Sequence, residues 1–189
     1  ALTPSDLAAL GITGVTAENL EEVLSALRAS ADDGSDIDTL SELQILVAAA
    51  VAQSRQDAID RISQYDGTSS TTTPTLADYA NAGVSGVSAN NLLSINSAFA
   101  EIALADSNTT ASIQGVVTGY VAILLGADGQ SDGDLSLTAS GYVAMNLTRV
   151  DTSGKANLLN EVLDRSTTSA VDTYPELQAI SHVVADIFL

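Results

Sequence analysis

Apolar residues recur along the chain at the spacing of an amphipathic helix. The i, i+3, i+4, i+7 pattern occurs at Leu20, Val23, Leu24 and Leu27, and again at Ile113, Val116, Val117 and Tyr120. This spacing places an apolar stripe on one face of an α-helix and leaves the other face polar. The pattern therefore predicts an all-α protein.

A ten-residue phrase at residues 11–20 returns at residues 83–92. The two copies share both glycines and every apolar position, and each hydroxyl residue is replaced only by another hydroxyl residue. A degraded third copy covers residues 146–150 and 157–158, where Asn146 and Arg149 replace the two glycines. Repetition of this kind predicts an array of similar units in preference to one enzyme-sized core.

Each copy predicts three helices. The first helix is short, with a threonine hydroxyl as its N-terminal cap at Thr3, Thr75 or Thr138, and glycine ends it in the first two copies at Gly11 or Gly83. The second helix is predicted to start at Thr16 or Ser88, with Ile12 and Val15 folded back over its first turn.

The third helix of each unit opens with its own cap. Thr39 and Thr173 each stand three residues before a glutamate, which is the pattern of a capping box. In the first copy this helix is expected to run to about Ser63. The resulting prediction is an all-α fold of tandem three-helix units, with about nine helices in an extended repeat array. Its expected divisions are a first repeat at 1–66, a linker at 67–75, a second repeat at 76–127, an acidic linker at 128–136 and a divergent third repeat at 137–189.

The composition narrows the function classes. There are 24 acidic and 6 basic residues, for a formal charge of −18. Such a polyanion is repelled by nucleic-acid phosphates and by anionic lipid surfaces, so neither partner is expected. The chain has no cysteine, which excludes disulfides and thiolate chemistry. Because it starts at Ala1 without Met and ends abruptly, we expect neighbouring domains of a longer chain.

One string has the spacing of a metal-binding loop. Asp128, Asp132 and Asp134, together with Gln130, place oxygen-bearing side chains at alternate positions, and Gly133 stands sixth, as at the start of an EF-hand calcium loop. The twelfth position, where such a loop has a bidentate glutamate, is Ala139. The first interpretation is an acidic, solvated linker; calcium bound by the three aspartates is the alternative. No other cofactor is expected.

No pattern predicts catalysis. His182 is the single histidine, and no Gly-x-Ser-x-Gly elbow accompanies it, so we interpret it as a surface or packed side chain. The adjacent carboxylates Glu21 and Glu22, and likewise Asp32 and Asp33, are interpreted as solvated charge. The asparagine that recurs as Asn19, Asn91 and Asn157 is expected to make a capping or interhelical hydrogen bond. We therefore expect a protein that is not an enzyme.

The string at residues 76–92, LADYANAGVSGVSANNL, closely resembles a helical repeat of giant secreted proteins of Gram-negative bacteria, the RTX-type adhesins and related biofilm-associated surface proteins. The resemblance covers most of the first two copies and fades in the third. It implies an extracellular, cell-surface role as a structural or adhesive segment, without naming a ligand. The alternative is a helical binding module that recognises a peptide, a host protein or a glycan, through an exposed apolar or tyrosine-lined patch near Tyr65 or Tyr120.

Overall fold

The computed structural model describes residues 2–30, 37–102 and 108–188. Within them the chain forms nine α-helices, one short 3-10 helix at Thr168–Ala170 and no strands, with a single isolated β-bridge between Asp128 and Thr167. The helices are α1 Pro4–Ala9, α2 Leu20–Ala29, α3 Leu40–Ser63, α4 Leu76–Asn81, α5 Leu92–Glu101, α6 Thr110–Gly126, α7 Ala139–Ala144, α8 Ser153–Asp164 and α9 Tyr174–Asp186. The predicted all-α class is confirmed.

The three short helices α1, α4 and α7 share the same N-terminal cap. The hydroxyls of Thr3, Thr75 and Thr138 each accept a hydrogen bond from the backbone N–H three residues on. In the first two, the aspartate at that third position also accepts from the backbone of the cap residue, which completes a capping box. The predicted caps are confirmed. They could be predicted because a cap depends only on residues close in sequence.

The short helices also share a C-terminal turn. Gly11 and Gly83 adopt left-handed backbone with φ of 79° and 76°, and Asn146 adopts it with φ of 62°. In each copy the backbone N–H of the following residue donates to a carbonyl oxygen of the short helix: Ile12 to Leu7 at 3.1 Å, Val84 to Tyr79 at 2.9 Å and Leu147 to Tyr142 at 3.0 Å. Asparagine is the non-glycine residue that best tolerates this conformation, so the third copy keeps the turn after losing its glycine.

The second helices begin later than predicted in the first two copies. Asn19 Oδ1 accepts from Thr16 N at 2.9 Å, and its Nδ2 donates to Gly14 O at 3.0 Å. Asn91 makes the same two bonds. Each side chain holds the preceding residues in a turn, so α2 and α5 start at Leu20 and Leu92 instead of Thr16 and Ser88. In the third copy, Thr152 caps α8 and Asn157 is an exposed residue within that helix.

The described residues form two apolar cores. The smaller contains the fully buried residues Leu7, Ile12, Val23 and Val47, with Val15 and Leu20 packed against it. The larger runs from Ala58 to Val184 and takes residues from both later copies. Helix α3 contributes to both, because Val47 lies in the first and Ile59 and Ile62 in the second. It ends at Ser63, as predicted.

Contacts between the second and third copies close the larger core. Helix α9 packs on α5, and Tyr174 N donates to Ser97 Oγ at 2.8 Å. The buried hydroxyl of Tyr120 donates to Val171 O at 2.9 Å. Helix α7 approaches α6 closely at Gly119, where an added Cβ would lie 2.6 Å from Met145 Sδ. The later two copies therefore pack around one interior.

A polar junction joins the first copy to the second. Arg61 on α3 pairs with the buried carboxylate of Asp78 on α4. Asn81 Nδ2 donates to Glu18 O at 3.3 Å.

Among the described residues, no helix is both long enough and apolar enough to cross a membrane.

Candidate metal centre

The loop at residues 128–134 is fastened to the end of helix α8. Gly129 N donates to Ser166 O at 2.8 Å, beside the β-bridge between Asp128 and Thr167. Further along, Ser131 Oγ accepts from Arg165 Nε at 3.2 Å. These contacts bring the aspartates of the loop close to a helix that lies about thirty residues later in the sequence.

Three carboxylates meet at this place. Asp132 and Asp134 come from the loop, and Asp164 is the last residue of α8. One carboxylate oxygen from each lies within 4.8 Å of the other two. We call these three residues the aspartate cluster. Oxygen ligands around one calcium ion lie 2.3–2.6 Å from the metal, so oxygens of one coordination shell are at most about 5 Å apart. The spacing of the aspartate cluster meets that condition.

Asp164 is the unusual member of the aspartate cluster. It is only 5% exposed, whereas Asp132 and Asp134 are exposed. Its Oδ2 accepts from Gly133 N at 3.3 Å, while its buried Oδ1 has no hydrogen-bond partner among the described residues. It also stands at the C-terminus of α8, where the helix dipole is negative and disfavours an anion. A buried carboxylate oxygen in this position lacks compensation from the described protein groups.

The negative charges of the loop aspartates also lack compensation among the described residues. The pKa of Asp134 is raised, chiefly because surrounding atoms displace water from its carboxylate, and further because Asp132, Asp128 and Asp164 repel its charge. None of the ion pairs in the described part of the chain includes a member of the aspartate cluster. Chemically, such a group of oxygen donors can hold a hard divalent cation or share a proton.

The structure brings together two of the three aspartates that the sequence singled out. Asp128 lies outside the aspartate cluster, and its Oδ1 instead accepts from Gln130 N at 2.8 Å. Asp164 was missed. The available signal was its position on the buried stripe of α8, because Asn160 and Asp164 follow Ala156 at i+4 and i+8, where apolar residues are expected. Ala139, at the twelfth loop position, is the first residue of α7.

The other candidates are dispersed. Glu21, Glu22 and His182 are exposed, which agrees with their interpretation as surface side chains. The pair Asp32 and Asp33 lies outside the described residues.

Of the two tyrosines named for a binding patch, Tyr120 is buried with 1% exposure and therefore offers no surface. Tyr65 is half-buried beside a pocket of about 380 Å³.

An apolar groove lies elsewhere on the surface, between α5 and α6. Leu93 is 82% exposed and Leu125 is 72% exposed, although both are large aliphatic side chains. They line a depression of about 650 Å³ together with Val121 and Leu124. Asp172 and Thr173 form part of its polar edge. Exposed apolar side chains gathered in one groove are a feature of surfaces that bind partners.

Comparison with protein-family models, with curated proteins and with solved structures gave no match.

Proposed function

We propose that this chain is a non-catalytic structural segment, a spacer with an adhesive surface, of a large secreted or surface-attached bacterial protein. In this proposal its helices form three three-helix units in a tandem array, joined to neighbouring domains of a longer chain. The observation that carries it is helix α3, whose 24 residues pass from the first core into the second.

The geometry of α3 favours stiffness. At about 1.5 Å per residue a helix of this length spans about 36 Å. Its N-terminal half packs on α2, its C-terminal half packs on α4, and the ion pair between Arg61 and Asp78 adds a side contact at the junction. A continuous helix resists bending far better than a glycine- and serine-rich connection. A rigid junction between repeated units suits a segment that holds other domains at a distance.

The pairing of buried polar groups supports a structural role. Asn96 and Asn160 each accept from a tyrosine hydroxyl and donate to a backbone carbonyl, so both amides are used in packing. The local turns recur in three copies even where their sequence has diverged. What recurs in this chain is geometry that positions helices, and the resemblance of residues 76–92 to repeats of giant bacterial adhesins favours an extracellular location.

Single-molecule energy transfer tests the proposed stiffness. The chain has no cysteine, so cysteines introduced at exposed Ser25 on α2 and Asn157 on α8 would carry the only two dyes. We expect one narrow transfer-efficiency peak. Exposed Gln53 lies in α3 between the two cores, and Gln53→Pro should broaden the peak, because proline breaks a helix interior.

The matched control is Gln53→Ala, which keeps the helix and should leave the peak unchanged. Circular dichroism of each variant verifies that the other helices remain. A broad distribution in the unmodified chain, as wide as that of Gln53→Pro, would show a hinge between the cores and would contradict a rigid spacer.

A second candidate function is a helical binding module for a peptide, a host protein or a glycan. The groove with Leu93 and Leu125 favours it, because exposed leucines in a depression fit apolar side chains of a peptide or protein. Binding to a peptide and glycan panel should then be lost in Leu93→Ser/Leu125→Ser. The control Ile45→Ser changes an exposed residue, 67% accessible, on α3. Equal binding by the double variant and by Ile45→Ser would show that the groove is not the binding site.

A further inference from the structure

We propose that Asp132, Asp134 and Asp164 form a calcium site that clamps the loop at residues 128–134 onto the C-terminus of helix α8. The proposal concerns a binding site and stands independently of the role as a spacer. It also differs from a sequential EF-hand loop, because Asp164 lies about thirty residues later, at the end of α8, and because Asp128 is not a ligand.

The first step of the argument is the buried oxygen. Asp164 Oδ1 is buried and has no hydrogen-bond partner in the part of the chain that the structure describes, and one carboxylate oxygen of Asp164 lies within 4.8 Å of carboxylate oxygens of Asp132 and Asp134. An uncompensated buried charge is strongly destabilising, and like charges add to the cost. Three carboxylates placed together need either a cation or a shared proton among them. The neighbouring Arg165 directs its guanidinium to Ser131 and Glu161.

The second step is the chemical class of the cation. All three side chains offer carboxylate oxygens. Hard cations prefer oxygen ligands, whereas softer transition metals prefer sulfur or nitrogen ligands. Calcium accepts six to eight oxygen ligands in variable geometry, so three carboxylates from a loop and a helix end can supply part of its shell. The exposed side chains of Asp132 and Asp134 face solvent, so water can supply the remaining positions of the shell.

The third step is the framework that holds the ligands. Gly133 has a left-handed φ of 76°, and its N–H donates to Asp164 Oδ2, so the loop turns directly over the helix end. Gly126, the last residue of α6, packs closely against the loop, because an added Cβ would lie 3.0 Å from Asp134 Oδ1 and 3.0 Å from Leu135 Cβ. A bound cation would thus tie the ends of α6 and α8 to the intervening loop.

The experiment compares thermal melts of the 189-residue chain in 5 mM CaCl₂ and in EDTA, at 150 mM KCl. This salt concentration reduces general screening of the acidic surface by added calcium. We expect the unmodified chain to melt about 5 °C or more higher in calcium, the shift that binding at tens of times Kd gives a domain of this size. Isothermal titration with CaCl₂ should give one ion per chain.

Two variants decide which aspartates bind. Asp164→Asn should abolish the calcium shift, and its melting temperature in EDTA should equal or exceed that of the unmodified chain, because the substitution removes a buried charge. The matched control Asp128→Asn should keep the full shift. Asp134→Asn serves as a second test of the aspartate cluster, with at least a tenfold loss of calcium affinity expected.

Three results would overturn the proposal. Absence of any shift in the unmodified chain would mean that the three carboxylates manage their charge by proton sharing. Loss of the shift in Asp128→Asn together with its retention in Asp164→Asn would assign calcium to a sequential loop. An equal shift in all variants would reduce the effect to screening of the acidic surface.

Discussion

Replacing Tyr79 by Phe should destabilise the protein through one buried hydrogen bond. Tyr79 is 1% exposed, and its hydroxyl donates to Asn96 Oδ1 at 2.7 Å. Asn96 is 3% exposed and uses its Nδ2 to donate to Pro74 O at 2.9 Å. Phenylalanine keeps the ring in place beside Phe99, whose centroid is 6.0 Å away, so the change removes only the hydroxyl.

The magnitude follows from what the substitution leaves behind. Asn96 Oδ1 would lose its donor in a position that water does not reach. An unsatisfied buried acceptor costs about 1–3 kcal/mol, more than the net contribution of an average hydrogen bond. For a domain of this size the melting temperature falls by about 2–4 °C for each kcal/mol, so we expect a decrease of roughly 2–12 °C.

Urea unfolding at fixed calcium concentration measures this loss as a free energy of unfolding. The third copy supplies a comparison, because Tyr142 donates to Asn160 Oδ1 at the same 2.7 Å, but that oxygen also accepts from Leu137 N at 3.2 Å. Tyr142→Phe leaves Asn160 Oδ1 with this second donor and should therefore cost less than Tyr79→Phe. Tyr65→Phe is the control, since Tyr65 is half-buried outside both networks, and should change the free energy by less than about 0.5 kcal/mol. A loss below about 0.5 kcal/mol in Tyr79→Phe, or a loss no larger than that of Tyr142→Phe, with unchanged denaturant slope, would refute the reasoning.

Three further predictions concern the junction, the turns and alkaline pH. Asp78→Ala should cost about 1–3 kcal/mol in urea unfolding, because it removes the carboxylate that completes the capping box of α4 and pairs with the partly hydrated Arg61; a cost no larger than that of Asp57→Ala would contradict this. Asn146→Ala should cost about 1–2 kcal/mol, while Asn146→Gly should be close to neutral, since only the left-handed backbone matters there; equal costs would reject that explanation. Burial raises the pKa of four tyrosines, so their contribution to stability is complete below the ordinary tyrosine pKa of about 10 and is lost as pH rises above it. These are Tyr79, Tyr120, Tyr142 and Tyr174. Helix signal at 222 nm and tyrosinate absorbance should therefore change together above about pH 10, and ionisation of most tyrosines before any loss of helix would argue against it.

Features set by neighbouring residues were predictable from the sequence. Thr39 with Glu42 and Thr173 with Glu176 gave the starts of α3 and α9, because a capping box needs only four consecutive residues. The predicted starts of α2 and α5 were wrong because an asparagine side chain, Asn19 or Asn91, bonds to the backbone groups of the residues before the helix. Asn19 bonds back to Gly14 O and Thr16 N, and this local alternative to a helix is typical of asparagine.

The features that depend on distant residues could not be predicted. Asp164 joins the loop aspartates only because α8 ends beside residues about thirty positions earlier. Tyr120 belongs to an amphipathic pattern that predicts partial burial, but its partner Val171 is 51 positions away. The aspartate spacing in the loop pointed to two members of the aspartate cluster, while Asp164 was missed because periodicity carries no information on which helix ends meet.

Hydrogen exchange followed by mass spectrometry is the most direct test of the claim that the second and third copies share one apolar core. The larger core takes residues from the second and third copies, so amides of α6 and α9 should open with the same, highest protection. Helices α1 and α2, which rest on the core of four buried residues, should exchange sooner. Exchange of α6 and α9 in separate classes, each stable without the other, would contradict the account and describe independent units instead.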